Sequence, residues 1–220
     1  MNRRVIEIML HQHNQAQTLY HPKWQEQGWN NDRAIRAEAM EGLNSQGWAW
    51  WKKQTPDLAN CRMELIDIWH FMLNRAIVEA KCPTIDHPEV VDKVVGMVAP
   101  LIPATIKEAG AVELWEMLIF DTRNYAAYAM LCDIYNLDSA GFVRLYYVKN
   151  QLNILRAVSG YQQGKYKKMW PFGTEMVEDN VVAMHLAGGI DFINDDGAVR
   201  RFYKKLDLYY RMTLDEVDNG

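Results

Sequence analysis

Two carboxylate pairs with the same spacing stand out in the sequence. "RAEAMEG" (36–42) holds Glu38 and Glu41, and "CRMELIDIWHFMLNRAI" (61–77) holds Glu64 and Asp67. Residues three apart on a helix share a face. In the second stretch Leu65, Ile68, Trp69 and Met72 make an apolar stripe, and Glu64 and Asp67 lie together on the adjoining face, which Phe71 and Asn74 continue. Burying charge is unfavourable unless something compensates it. Four carboxylates brought together repel one another and offer hard oxygen ligands, which suit Mg2+ and also Mn2+. Such a site suits attack by an activated water on a phosphoryl group. Glu41 and its neighbour Glu38 are the catalytic candidates, with Glu41 taking the proton. Either pair alone is also what a solvated helix face carries; two pairs on adjacent helices point to a metal.

The second cluster is "KNQLNILRAVSGYQQGKYKKMW" (149–170). Lys149, Asn153 and Arg156 fall three or four apart on one helix face, followed by Gly160, Tyr161, Lys165, Tyr166, Lys167 and Lys168. A glycine-bearing, lysine-rich loop can wrap an anion, and an arginine adds a planar fork for phosphate oxygens. The bland alternative is a solvated basic loop. Beside an acidic quartet the two clusters make a pair, one for metal and one for the phosphates that the metal bridges.

Helical periodicity dominates the elements that must carry these groups, and neither a strong hairpin signal nor an internal repeat is visible. The pattern predicts helices over 2–19, 32–53, from Thr55-Pro56 to about Lys81, from near Asp86, over 111–135, 139–158, 176–187 and 196–216, with 159–175 as a loop. Thr55 can cap the third helix, and Pro56 suits its first position. Two helices joined by a short turn pack antiparallel, so the two acidic faces could converge. The reading is an all-α helical bundle with one domain over 1–220, and no linker splits it.

Composition sets outer bounds. The chain has 220 residues, 49% hydrophobic and 24% charged, with a net charge of -4. An acidic balance argues against a nucleic-acid binder. Cys61, Cys82 and Cys132 are odd in number and widely spaced, which fits reduced thiols in a cytoplasmic protein. "MNRRVIEIMLHQHNQ" makes a poor signal peptide because Glu7 breaks its apolar run. "VVGMVAPLIPATI" (94–106) is too short to span a membrane and holds two prolines, so no membrane association is expected.

The motifs resemble the dimeric, all-α dUTP pyrophosphatases, within the all-α NTP pyrophosphatase (MazG-like) superfamily. That family reads "ECAEL" and then "LELVDIWHF"; this chain reads "EAMEG" at 38–42 and "MELIDIWHF" at 63–71, joined by the Trp-rich "GWAWWKKQTPDLA" (47–59). The family's C-terminal pattern is matched by Lys149, Asn150, Asn153, Arg156, Gly160, Tyr161, Gly164, Tyr166, Lys168, Trp170, Glu178, Asp179 and Asn180. Residues 82–140 match only as generic helix.

The resemblance implies a magnesium-dependent homodimer that cleaves a dNTP to dNMP and pyrophosphate. Glu38, Glu41, Glu64 and Asp67 would hold the metal. Lys149, Asn153, Arg156, Tyr161 and Lys168 would contact phosphate and sugar. Trp48 would lie against the base, and Asn180 would also face it. His70 would be a supporting core residue. Where the family carries a Gln and, four residues on, an Asn that read uracil, this chain has His13 and Gln17. Gln at the second position resembles a relative that acts on both dCTP and dUTP. Asn44, Ala49 and Gln162 also depart from the family pattern. The leading expectation is dUTP hydrolysis. The alternatives are the same reaction on dCTP, on both, or on a modified dNTP, and a catalytically silent nucleotide-binding helical protein.

Overall fold

The computed structural model describes residues 1–82, 84–195 and 197–218, with side chains to residue 214. Among the described residues ten helices follow in order: α1 (Arg3–Tyr20), α2 (Asn31–Gln46), α3 (Leu58–Ala80), α4 (Pro88–Val98), α5 (Ala104–Lys107), α6 (Ala111–Phe120), α7 (Tyr125–Ile134), α8 (Ser139–Val158), α9 (Asp179–Leu186) and α10 (Ala198–Asp218). A two-stranded antiparallel hairpin, β1 (Met169–Phe172) and β2 (Glu175–Glu178), lies between α8 and α9 in the chain. The fold is all-α, as the periodicity predicts. The chain forms two compact units, one of residues 1–14 and 25–139, the other of residues 15–24 and 140 onward.

In the first unit α3 carries the core. Leu65, Ile66, Ile68, Trp69, Met72, Leu73 and Ala76 are all fully buried. α2 packs along α3 on one side and against α6 on the other. α2 stops at Gln46, short of the predicted 53, because Gly47 turns left-handed (φ 77°) and its N–H bonds back to the Asn44 carbonyl. Glycine adopts that conformation without strain. α3 is capped by Asp57, whose side chain accepts from the Asn60 N–H at 2.9 Å; the predicted cap, Thr55, lies two residues upstream. The Asp57 N–H bonds to the Ser45 carbonyl (2.8 Å), and Asn60 Nδ2 donates to Ser45 Oγ (2.8 Å). These bonds fasten the end of α2 to the start of α3.

Two further contacts fix α2. Gly42 lies so close to the Trp115 ring of α6 that a Cβ there would sit 2.4 Å from it. The Trp115 indole N–H donates to the Tyr135 hydroxyl (2.7 Å), which donates to Gln46 Oε1 (2.8 Å). At the other end, buried Arg75 of α3 donates to Asp32 Oδ1 (2.6 Å), Thr122 Oγ1 (3.0 Å) and the Thr122 carbonyl (2.9 Å). That network joins α2, α3 and the α6–α7 turn.

The structure corrects several boundaries. The single helix predicted over 111–135 is two, because the chain turns after Phe120 and Asn124 caps α7 by accepting from the Ala127 N–H. α4 begins at Pro88 under a His87 cap rather than near Asp86. The predicted loop and helix start over 169–178 form the hairpin instead, closed at Gly173 (φ 63°) with Phe172 opposite Glu175. α9 therefore begins at Asp179. The last helix begins at Ala198; the predicted start, Asp196, lies outside the described residues, as does Pro83.

In the second unit Trp170 of β1 is fully buried, stacked with Tyr209 at 5.9 Å, and its indole N–H donates to the Lys167 carbonyl (2.8 Å). α9 and α10 both pack on this strand.

Candidate active site

The α2–α3 pairing brings Glu38, Glu41 and Glu64 together, with one carboxylate oxygen of each within 4.8 Å of the others. Glu64 is buried, Glu38 half-buried and Glu41 exposed, so the cluster opens outward through Glu41. Asn60 Nδ2 donates to Glu64 Oε1 at 2.9 Å and holds it from the side of the α2–α3 turn. Burial pushes the Glu64 carboxyl up to about 8, and Asp67, Glu38 and Glu41 push it the same way. Asp67 is the strongest of these neighbouring charges, so the fourth carboxylate acts on the same point although it stands outside the trio.

This donor set fits a hard divalent cation. It offers only carboxylate oxygens, it concentrates negative charge, and one member holds a proton near neutral pH that a cation would displace. All three cysteines are free thiols.

Two residues with predicted base contacts also lie in this unit. Trp48 is 38% exposed, edge-on to Trp51 (5.2 Å), and donates its indole N–H to Asn44 Oδ1 (3.0 Å). His13 has no exposed surface; its Nε2 lies 2.6 Å from Asn74 Oδ1 and its ring 5.6 Å from that of His70. His70 Nδ1–H donates to the Ile66 carbonyl (2.7 Å).

The basic cluster is built within the second unit. α8 places Lys149, Asn153 and Arg156 along one stretch, and Gly160, left-handed at φ 80°, ends it before Tyr161. Arg156 is buried and makes a two-pronged pair with fully buried Asp179: Nε to Oδ2 at 2.8 Å and Nη2 to Oδ1 at 2.7 Å. Tyr166 adds a hydroxyl to Asp179 Oδ2 (2.8 Å). Asn180 Oδ1 accepts from Arg156 Nη2 (3.4 Å) and from Lys149 Nζ (3.5 Å). Tyr161 is exposed, with its ring 5.8 Å from the Arg156 guanidinium. Exposed Lys168 pairs with Glu178 (3.5 Å), and Gln17 is half-buried on α1. Sequence reading missed Asp179 as the partner of Arg156, although "Glu-Asp-Asn" at 178–180 was the signal. It also missed the hold of Asn60 on Glu64, one helical turn upstream.

The sequence profile of the dUTPase family matches residues 5–161 of this chain. The chain belongs to the dUTPase family. The matched stretch contains the four carboxylates, His13, Gln17, Trp48, Lys149, Asn153, Arg156 and Tyr161, while Lys168 and Asn180 lie beyond it. Comparison with curated proteins gives no match. Membership in an all-α dUTPase family makes the protein a dUTP diphosphatase-like hydrolase with a nucleotide substrate. Among the described residues no helix is long and apolar enough to cross a membrane.

Proposed function

We propose that the protein hydrolyses dUTP to dUMP and pyrophosphate using magnesium, or manganese in its place, held by Glu38, Glu41, Glu64 and Asp67. The observation that carries this reading is the convergence of Glu38, Glu41 and Glu64 within 4.8 Å in a chain of the dUTPase family. Bound magnesium would supply positive charge to the polyphosphate and make the attacking water more acidic.

The protein's own groups do the rest. Glu41, the exposed member, accepts a proton from the water as the water oxygen bonds to the α-phosphorus and the bond to the pyrophosphate oxygen breaks. Glu38 sits beside it and shares the charge of the cluster. Lys149 and Lys168 neutralise phosphate oxygens, and Asn153 and Tyr161 donate hydrogen bonds to phosphate and sugar. Arg156, clamped by Asp179, is a cation whose orientation is already fixed, so little is lost in ordering it. Trp48 offers a flat face to the base, and Gln17 and Asn180 are the further base contacts that the family resemblance implies. The working form is a cytoplasmic homodimer.

A panel of dNTPs assayed for magnesium-dependent pyrophosphate release tests this. dUTP is expected among the best substrates. Gln17 is the residue whose departure from the family pattern would favour dCTP or a modified base instead, and dCTP as sole substrate would transfer the reading to that nucleotide. Glu41→Gln is expected to lower turnover about 100-fold or more with an unchanged helical circular dichroism spectrum. Wild-type protein that binds dNTP and magnesium without releasing product would leave the silent binding protein as the better account.

A further inference from the structure

Asn74 stands on the carboxylate face of α3. It follows Asp67 by seven residues, close to two full turns, so its side chain lies at nearly the same azimuth and about 10.5 Å further along the axis. That offset is comparable to the reach of a nucleotide from its polyphosphate to the far edge of its base. Phe71 lies between them on the same face, half exposed.

Asn74 is 3% exposed, and its only hydrogen bond among the described residues is the one to His13 at Oδ1. Its Nδ2 has no partner there, yet it is not among the fully enclosed polar atoms. A buried carboxamide with one end tied and the other open is an unusual arrangement, because buried polar groups are normally satisfied. The polarity of the open end follows from the tied end. Burial, with His70 beside it, lowers the His13 pKa to about 3, so the ring is neutral and carries one N–H. Oδ1 faces Nε2, so in the tautomer that carries its proton on Nε2 the ring donates to Oδ1 and leaves Asn74 two Nδ2 hydrogens to offer. The opposite tautomer would turn the amide over and leave an acceptor, so the choice of tautomer sets the polarity of the open end.

We propose that Asn74 reads the pyrimidine through its Nδ2 hydrogens, and that His13 is the positioning residue that fixes this polarity. The site then takes a base with an oxygen acceptor at position 4 and rejects one with an amino group there. His13, expected to touch the base itself, acts one bond removed. This inference rests on the pyrophosphohydrolase reading for the location of the nucleotide, with the triphosphate at the carboxylates.

The test compares wild type with Asn74→Ala, His13→Met and His13→Gln. The measurements are kcat/KM for dUTP and dCTP, and the affinities of the non-hydrolysable α,β-imido analogues of both nucleotides with magnesium. Wild type is expected to prefer the uracil nucleotide. Asn74→Ala should lower that preference about 10-fold or more, since a site built to hydrogen-bond one edge discriminates strongly against the other. His13→Met should do the same, while His13→Gln, which keeps an N–H donor, should restore the preference in part. A purely structural role for His13 would change stability and leave the ratio alone. An unchanged ratio in Asn74→Ala overturns the proposal, as does a wild-type preference for the cytosine nucleotide, or analogues bound equally or not at all. If His13→Met does not fold, Asn74→Ala decides. If wild type hydrolyses no dNTP, the pyrophosphohydrolase reading falls separately, and the analogue affinities still judge Asn74.

Discussion

Glu64 and His13 shift in opposite directions, and each ties stability to pH. Glu64 titrates at about 8 in the folded protein against 4.5 ordinarily, so between those values the folded state holds a proton that the unfolded chain has lost. Its contribution is complete below 4.5 and is lost as pH rises through 8. His13 titrates at about 3 against 6.5 ordinarily, so its contribution is present above 6.5 and is lost as pH falls toward 3. From these two groups stability rises from pH 3 to 4.5, is level to 6.5, and falls from 6.5 to 8. The alkaline limb corresponds to about 2 kcal/mol, at 1.36 kcal/mol per pH unit. Urea midpoints measured without magnesium should show it, and Glu64→Gln should flatten it. Added magnesium should raise the midpoint most at the alkaline end, where the proton is easiest to displace. At this scale the carboxylates were legible because three-residue spacing on a helix fixes a shared face whatever the rest of the chain does. The His13–Asn74 bond was not, because it joins residues 61 apart and exists only once α1 and α3 pack.

Among the elements, the longest were the most legible. α3 and α8 repeat their apolar residues over several turns, and both were found nearly to the residue. The hairpin was missed because Pro171 interrupts its short strands and leaves no alternation to read. The split between α6 and α7 was missed although Asp121, Thr122, Arg123 and Asn124 interrupt the apolar residues, because four polar residues also fit an exposed helical turn; what divides the helices is the Asn124 cap and the long-range bond from Arg75 to the Thr122 carbonyl. Arg75→Ala should therefore lower the stability of the first unit by about 1–3 kcal/mol, because it leaves the Thr122 carbonyl without its buried donor and half-exposed Asp32 with only the Thr122 hydroxyl. Urea unfolding checks the size. Magnesium binding by the folded fraction should persist, since the carboxylates lie elsewhere on the two helices.

For the whole molecule, the all-α class was readable from periodicity alone, whereas the division into two compact units was invisible because no change of composition marks it. Exposed Trp50, Leu101 and Phe120 leave large apolar surface on the first unit, which is compatible with burial in a dimer. The homodimer reading predicts a light-scattering mass of twice the 25.6 kDa chain. The contact of Gly42 with Trp115 bears on how such a molecule can change over generations. A side chain at position 42 meets the indole ring, so Gly42→Ala alone should lower stability by about 1–3 kcal/mol, as overpacking does. After Trp115→Phe the same alanine should be tolerated far better, a non-additivity that a double-mutant cycle would measure. The order of substitution then matters: ancestry that first shrinks the ring can later enlarge position 42, while the reverse path passes through a strained intermediate right beside Glu41.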